Sequence, residues 1–561
     1  MFDRKAAEDF LSRINGFVQN LLGGCRPAKT GQKVIHDPIW GSVVYHPWEI
    51  QLIDTPLLQR LRGISQLGMA SLTYPAARHS RYEHSLGTVA IASRMAEKLL
   101  DDRVFENEDY CPGKEELNLV RLAALLHDVG HCAYSHLSET VYENLPEFLN
   151  IKAYMRHCYG EDFSAKPHEI FSYLILTSDA FYDFFSTWID YPGKERFGRS
   201  LLFAAAKMVV GVKNETTVGG KTYRLSFLTD ILNGDFDADK LDYTQRDSYT
   251  AGIAMTYGVE RFLMKLVILR RRESWGTDFC LAMRGDSMIA VEELLFNRNV
   301  LYFYMYRHKK VLATEAVIRD VFYSLLQLGE VCHPCDFLYL ADADVQGFLS
   351  SDKVPFPELA PNRTLRHFSD MLQKRDIPKA CLVLGKSNLR LKNRENSLAE
   401  RIFSVADIQS ADDSEENPVK EIEELCSEYL PEMQLSARVQ NLCRKISRLS
   451  YTGYIELRRC FYEILCEEYR AAGKIIDFDL FDLQISMIPF SESRVNLPLC
   501  DSEGHEYPAD LSYVRRWARS FSWDKWKGVF YVAEKIDRSI AGCAARRFFA
   551  TLAPDLCLID G

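Results

Sequence analysis

Histidine and aspartate residues in three separate segments place the strongest constraint on what this chain can fold into. Each segment lies within or beside a helical pattern of apolar residues, and the three are RYEHSLG (81–87), ALLHDVGH (124–131) and GDFDADK (234–240). A carboxylate beside aliphatic side chains is costly to bury unless it is paired or bound to a metal. Together the segments offer four ligands for one divalent ion, His84, His127, Asp128 and Asp239.

Mixed imidazole and carboxylate ligation leaves room for water and a phosphate oxygen, as a hydrolytic metal ion requires. The donor set is compatible with Mn, Mg, Fe or Zn. A single histidine such as His84 at a helix start is more often structural, and each segment alone is a weak signal. The three segments together predict a metal site, and therefore an enzyme.

The apolar spacing predicts a mostly α protein, with small β-hairpins and a smaller α+β lobe at the C-terminal end. Helical patterns cover 48–67, 85–101, 116–129, 168–186, 198–211, 236–250 and 287–328. Short β elements are expected at 33–47, 215–226 and 274–284. We therefore expect an N-terminal helix (1–30), a catalytic core (31–395), an acidic linker (396–418) and an α+β C-terminal lobe (419–561).

Charge and cysteine usage limit the ligands and the cellular compartment that we expect for this chain. The net charge of −10 gives no general attraction to nucleic acid or to an anionic membrane, so a polyanionic ligand would need locally placed Arg and Lys residues. No apolar run approaches the roughly 18 residues of a membrane span. The first residues, MFDRKAAEDF, lack the apolar core of a signal peptide. We expect a cytoplasmic protein, with its 15 scattered cysteines as reduced thiols.

One close cysteine pair, Cys332 and Cys335 in CHPC, has no matching second pair for a zinc site. The pair is more typical of a loop before a helix near Asp336.

The motifs RYEHSLG, LLHDVGHCAYSH, KPHE and GDFDADKLDY, in this order, resemble those of the HD-domain deoxynucleoside triphosphate triphosphohydrolases. That family includes a vertebrate antiviral enzyme and bacterial dGTPases. Two further segments are similar to theirs, KVIHDPIWGSVVYHPWEIQLIDTPLLQRLRGISQLG (33–68) and RNVLYFYMYRHKK (298–310). The resemblance covers roughly 33 to 330. It implies an HD-domain core and hydrolysis of a deoxynucleoside triphosphate (dNTP) to a deoxynucleoside and inorganic triphosphate.

The resemblance also implies roles for individual residues. The four metal ligands would polarise the α-phosphate and orient a water. His136 and Glu139, spaced i, i+3 on a helix, match the family's catalytic histidine and acid, and His131 and His168 match further active-site histidines. The residues implied to bind substrate are Gln66, Leu67, Arg81, Lys240, Tyr243, Asp247, Arg298, Tyr306, His308 and Lys309. Alone, each histidine could simply support the fold, and each Arg or Lys could be a solvated surface charge.

A second set of residues matches the family's allosteric nucleotide pocket, where an aspartate and an arginine bind a guanine edge. The set is Lys33, Val34, Asp54, Gln59 and Arg62. His36 departs from the pattern, because the best-matched members of the family have asparagine there. The alternative for IDTPLLQRLRGISQLG (53–68) is a helix that only packs.

Three functions stay open at this level. The chain could be a dNTP triphosphohydrolase, homo-oligomeric as a dimer or tetramer and activated by a nucleotide, which serves dNTP-pool control or antiviral or antiphage defence. It could be an HD phosphohydrolase that acts on another nucleotide. It could also be a nucleotide-sensing scaffold with a vestigial site, although the intact ligand set argues against that.

Overall fold

The computed structural model describes residues 2–105, 108–255, 258–350, 374–391, 434–489, 498–501, 505–507 and 512–559, together with positions 365, 368 and 371. The chain divides into two compact units. Unit 1 comprises residues 1–375 and 493–518, and unit 2 comprises 376–492 and 519–561. The expected four-part division stays a prediction, and its acidic linker (396–418) lies outside the described residues.

Helices dominate the described residues, which confirms the mostly α fold class. In unit 1 they are α1 (Arg4–Leu22), α2 (Pro47–Ile53), α3 (Pro56–Gln59), α4 (Arg81–Leu100), α5 (Lys114–Leu126), α6 (His136–Tyr142), α7 (Pro146–Tyr159), α8 (Pro167–Thr177), α9 (Asp179–Trp188), α10 (Lys194–Phe197), α11 (Arg199–Val209), α12 (Ser226–Asp230), α13 (Ala238–Ala251), α14 (Val259–Lys265), α15 (Met288–Leu301), α16 (Lys309–Leu328) and α17 (Asp342–Ser350). Further along the chain are α18 (434–447), α19 (Tyr451–Ala471), α20 (Ser512–Lys525) and α21 (Arg538–Leu552).

The strands are short. They are β1 (Lys33–Asp37), β2 (Gly41–Tyr45), β3 (Glu215–Val218), β4 (Lys221–Arg224), β5 (Leu266–Glu273), β6 (Gly276–Arg284), β7 (Lys379–Leu384), β8 (Leu389–Leu391), β9 (Leu483–Ser486), β10 (Leu499–Cys500), β11 (Glu506–Tyr507), β12 (Gly528–Val532) and β13 (Leu556–Leu558). β1 and β2 form the expected hairpin, with Lys33 opposite Tyr45. In the main sheet of unit 1, β6 pairs antiparallel with β5 and parallel with β4 and β10.

Two predicted helices are interrupted in the structure. The 48–67 pattern becomes α2 and α3 followed by a 3₁₀ turn, because Thr55 is the N-cap of α3 and Pro56 begins it. The 287–328 pattern becomes α15 and α16, separated by a π-helical turn at Tyr302–Tyr306, and His308 is the N-cap of α16. Apolar periodicity runs through both breaks and therefore does not reveal them.

The helices around the predicted ligands pack against one another. α4 packs on α5 and α13, and α8 packs on α11. α4 begins with a capping box, in which the backbone N–H of Ser80 donates to Glu83 Oε2 at 2.9 Å. α13 begins at the N-cap Asp237, whose Oδ1 accepts from Lys240 N at 2.8 Å. These caps fix the first turns of both helices, which carry His84 and Asp239.

Unit 2 has its own core. β12 pairs antiparallel with β7 and β9, and α19 packs on α21. Phe461, Phe530 and Phe548 pack in this core with ring centroids 5.5 to 5.9 Å apart. Throughout the described ranges, no helix has both the length and the apolarity needed to cross a bilayer.

Candidate active site

Three of the four predicted metal ligands converge. One nitrogen or oxygen from each of His84, His127 and Asp239 lies within 4.8 Å of the other two. A divalent ion about 2.0–2.2 Å from each donor would separate the donors by roughly 3–4.4 Å, so the spacing fits. The Nδ1 of His127 donates to the Ala124 carbonyl at 2.8 Å, and its buried Nε2 has no hydrogen-bond partner among the described residues. That nitrogen is free to bind a metal ion.

His84 is fully buried between two carboxylates. Its Nε2 lies 2.9 Å from Asp239 Oδ1, and its Nδ1 lies 2.7 Å from Asp242 Oδ2. Burial disfavours the charged ring, but the hydrogen bonds to Asp239 and Asp242 outweigh burial and raise the pKa of His84 to about 10. A metal ion bound at Nε2 would displace a proton from this position.

Asp128, the fourth predicted ligand, lies beside the group. Its Oδ1 is 3.2 Å from His127 Nε2, and its Oδ2 is 3.7 Å from His84 Nε2. Arg81, at the start of α4, donates from Nη1 to Asp128 Oδ2 at 2.9 Å. Burial acts to raise the pKa of Asp128, but His127, Arg81 and His131 outweigh it and hold the pKa well below the usual range. The carboxylate is therefore charged.

The predicted catalytic residues form a second cluster around Glu139. The Nδ1 atoms of His136 and His168 lie 3.1 Å from Glu139 Oε2 and 2.8 Å from Oε1, respectively. The His131 ring stacks on His168 at 3.9 Å between centroids, and its Nδ1 is 3.3 Å from Glu139 Oε1. His136 is the exposed member, with 56% of its side chain accessible.

The pKa values within this cluster diverge. Burial lowers the pKa of His131. For His168, burial acts in the same direction, but Glu139 outweighs it and raises the pKa. Burial acts to raise the pKa of Glu139, and the charges of His168 and His136 reverse this and lower it well below the usual range. A charged Glu139 therefore orients neutral and protonated imidazoles, as proton transfer requires.

Both clusters adjoin a cavity of about 570 Å³. Eight of the ten predicted substrate residues line it: Gln66, Leu67, Arg81, Lys240, Tyr243, Asp247, Arg298 and Tyr306. Tyr306 donates to Asp247, which also contacts His79 Nε2 at 2.8 Å. His308 and Lys309 are not part of the lining; His308 instead accepts from Lys310 N at 3.3 Å as the N-cap of α16. Their substrate roles stay predictions.

Four charged lining residues had no predicted role, namely Lys166, Glu169, Asp237 and Glu315. Lys166 and Glu169 belong to the KPHE motif, so the motif itself was the available signal. Glu315 lies within α16, in an amphipathic pattern that gives no hint of a cavity. Burial raises the pKa of Glu315 to about 8.

The predicted effector residues lie close together outside the cavity lining. Lys33 Nζ is 3.4 Å from Asp54 Oδ2, and Arg62 Nε donates to Gln59 Oε1 at 2.8 Å. The Arg62 guanidinium also lies 3.6 Å from the centroid of the Tyr82 ring. Val34, the remaining residue of the predicted set, is 62% exposed.

Residues 81–183 match the family model described as HD domain. An uncharacterized protein of Methanocaldococcus jannaschii is 30% identical over 287 residues, which are 51% of this chain and 48% of that protein. The deoxynucleoside triphosphate triphosphohydrolase SAMHD1 of Homo sapiens is 27% identical over 308 residues, which are 52% of this chain and 44% of that protein. The SAMHD1 homolog of Dictyostelium discoideum is 25% identical over 386 residues, which are 67% of this chain and 65% of that protein.

This chain thus spans about half the length of the first two of these relatives. The HD match contains His84, the His127-Asp128 pair and the whole Glu139 cluster, whereas Asp239 and Lys240 lie beyond it. Residues 81–183 therefore resemble an HD domain, and the chain resembles the HD-domain deoxynucleoside triphosphate triphosphohydrolases over about half its length.

Proposed function

We propose that this protein hydrolyses dNTPs to a deoxynucleoside and inorganic triphosphate with a bound Mn, Mg, Fe or Zn ion. One observation carries the proposal: a single cavity is lined by Asp239, which is the proposed metal ligand, by Arg81, Lys240 and Arg298, and by the aromatic Tyr243. A metal-assisted phosphohydrolase needs the metal ligand, binding of a triphosphate chain needs the basic residues, and binding of a sugar needs the aromatic ring. A phosphodiesterase would not need this full set.

Each group has a defined task in this proposal. When bound, the metal ion supplies Lewis acidity at the α-phosphate and lowers the pKa of a water. Arg81, Lys240 and Arg298 bind the phosphate oxygens. Water adds to the α-phosphorus as the bond from phosphorus to the 5′ oxygen breaks. His136, held through Nδ1 by Glu139, takes up the proton that the water gives up and passes it to that leaving oxygen.

Tyr243 supports a deoxyribose in this cavity. The ring lies on α13, four residues after Asp239, so the sugar would sit one helical turn from the metal ligand. Its bulk would disfavour a 2′-hydroxyl. We therefore expect ribonucleotides to be poor substrates.

The product released decides between the functions. Purified protein with Mn²⁺ or Mg²⁺ should release inorganic triphosphate from at least one of the four dNTPs, offered singly and in pairs. Release of orthophosphate or pyrophosphate alone would contradict the proposal and favour an HD phosphohydrolase acting on another nucleotide. Nucleotide binding without turnover, under every metal tested, would favour a scaffold.

The metal site has its own test. Asp239→Ala should remove bound metal and turnover together, because one of three converging donors is lost. Lys221→Ala, at the exposed first residue of β4, is the control and should retain both. Activity that survives in Asp239→Ala would place the reaction elsewhere.

Regulation, assembly and setting belong to the same proposal. The group formed by Lys33, Val34, Asp54, Gln59 and Arg62 is proposed as a nucleotide effector site, outside the catalytic cavity. Added dGTP should raise turnover, and Asp54→Ala should abolish the activation while leaving basal turnover unchanged.

We further propose a cytoplasmic homo-oligomer that depletes dNTPs for pool control or antiviral defence, with its mass in solution as the first check.

A further inference from the structure

Lys166 lies in the wall of the catalytic cavity with Arg81, Lys240 and Arg298. The Lys166 side chain is 53% accessible, compared with 4% for Arg81 and 25% for Lys240. The backbone of Lys166 is the N-cap of α8, so the start of its side chain is fixed two residues before His168. A flexible lysine stem therefore leaves a rigid anchor at the edge of the catalytic cluster.

The two predicted basic groups beside it already have partners in the protein. Lys240 Nζ donates to the Gly234 carbonyl at 2.8 Å and to Asp237. Arg81 donates to Ser135 Oγ at 2.8 Å and to Asp128 Oδ2 at 2.9 Å. Lys166 has a looser arrangement, because its Nζ lies 3.3 Å from Glu169 Oε1 in a pair that solvent reaches. Such accessible pairs contribute little net stability.

Glu169 keeps its own role when Lys166 moves. Its Oε2 accepts from the backbone N–H of Lys166 at 2.8 Å and thereby caps α8. When the ammonium group of Lys166 moves from Glu169 to another anion, this cap stays intact. The movement therefore requires no rearrangement of the helix that positions His168.

The charge in the cavity makes an additional cation important. The lining includes the basic residues Arg81, Lys166, Lys240 and Arg298 and the acidic residues Glu169, Asp237, Asp239, Asp247 and Glu315. Because Glu315 stays protonated up to about pH 8, the charged acidic residues equal the basic ones in number, while a triphosphate carries several negative charges.

We propose that Lys166 is a substrate-binding residue that moves from Glu169 to a phosphate oxygen of the triphosphate. This inference rests on the proposed function for the identity of the ligand. It adds a basic residue from α8 to those contributed by α4, α13 and α15.

Inorganic tripolyphosphate is the probe, because its binding can be measured without turnover. Calorimetry on the full-length, metal-loaded protein would compare the original chain with Lys166→Gln, Lys166→Arg and Lys114→Gln. Lys114, exposed at the start of α5, is the matched control because it is a lysine in the first turn of another helix. Loss of a charge-assisted contact should weaken binding about tenfold or more in Lys166→Gln.

We expect Lys166→Arg to bind within about threefold of the original chain, since it keeps the charge, and Lys114→Gln to be unchanged. The steady-state KM for a dNTP should rise in Lys166→Gln and recover in Lys166→Arg, while the protein retains its metal and thermal stability. Unchanged tripolyphosphate affinity in Lys166→Gln would overturn the inference even if dNTPs are hydrolysed. Absence of tripolyphosphate binding by the original chain would overturn it as well.

The turnover assay reports separately on the function. If no dNTP yields inorganic triphosphate but tripolyphosphate binding still depends on Lys166, the dNTPase proposal fails and the polyphosphate contact stands. A loss of stability or metal in Lys166→Gln that Lys166→Arg does not repair would assign Lys166 a structural role and overturn the contact.

Discussion

The orientation of His84 depends on Asp242, which lies three residues after Asp239 on α13. Asp242 Oδ2 lies 2.7 Å from His84 Nδ1, and Arg246 Nη2 donates to Asp242 Oδ1 at 2.8 Å. Burial acts to raise the pKa of Asp242, but Arg246 and His84 outweigh it and lower the pKa. A charged carboxylate on Nδ1 directs the Nε2 of His84 toward the metal position.

Asp242→Asn should therefore weaken metal binding by about 10–100-fold without removing a ligand. The amide keeps the shape of the side chain but loses the charge that orients His84. Metal affinity, measured by chelator competition, is the direct readout, with circular dichroism to confirm folding. Asp230→Asn, beyond the ligand group on α12, is the matched control and should bind metal normally. Equal affinity in the two variants would contradict the orienting role.

Residue types and order predicted much of the candidate site. The three motifs named His84, His127 and Asp239, which converge, and the family resemblance named the residues around Glu139, which also converge. Lys166 and Glu315 were not assigned because a single sequence does not show which residues of separate helices face one cavity. The placement of His308 as a helix cap depends on the break after α15, which the sequence pattern conceals.

At the scale of elements, α8 lies directly on the turn that carries His127 and Asp128. Gly130 lies in this turn, and its φ is not positive. Its importance is instead close approach: a Cβ there would lie 2.2 Å from the His168 carbonyl and 2.5 Å from Ser172 N. Ser172 Oγ joins the segments, accepting from Gly130 N at 2.9 Å and donating to the His127 carbonyl at 2.6 Å.

Gly130→Ala should destabilise the protein by roughly 1–3 kcal/mol or more, because the backbone of α8 must move to admit a methyl group. His168 would move with it, so turnover should fall as well. Chemical denaturation and the dNTPase assay are the measurements. Gly16→Ala is the control: nothing lies within 4 Å of its Cβ, and alanine within α1 should stabilise slightly. Equal stability of both variants would rule out the tight packing.

The helix α16 places a carboxylate, Glu315, in the cavity wall without a hydrogen bond or ion pair to any described residue. Burial raises its pKa from 4.5 to about 8, while Arg319 acts in the opposite direction. Between these two pH values the folded protein holds a proton that the unfolded chain has lost. Raising the pH through this window therefore destabilises the fold.

Glu315→Gln should remove this pH dependence. As the pH rises from 4.5 to about 8, the variant should gain up to about 5 kcal/mol of unfolding free energy relative to the original chain, since each pKa unit is worth about 1.4 kcal/mol. Urea denaturation at the two pH values provides the measurement. Glu330→Gln makes the same chemical change at an exposed position after α16 and should follow the original chain. Parallel pH profiles for all three proteins would contradict the raised pKa.

For the whole molecule, periodicity was sufficient to predict a mostly α protein with a β hairpin near its start. It could not predict that unit 1 is discontinuous, with residues 493–518 returning to it. The strand β10 has only two residues, too few for a period-two pattern, yet Leu499 pairs with Met283 and Cys500 with Arg284. Pairing over this sequence separation depends on the complete fold, which a local pattern does not record.

Unit 1 should therefore depend on a segment that lies far along the chain. Leu499 and Cys500 are buried, and Met283 N donates to the Pro498 carbonyl at 3.0 Å. A chain that ends at residue 375 loses this strand and exposes the edge of β6, which favours aggregation. We expect its melting temperature to fall, and limited proteolysis to cleave near β6 sooner than in the full chain. Joining residues 1–375 through a short linker to 493–518 should restore the edge and much of the stability. If the chain ending at residue 375 had the same melting temperature as the linked version, residues 493–518 would contribute nothing to the stability of unit 1.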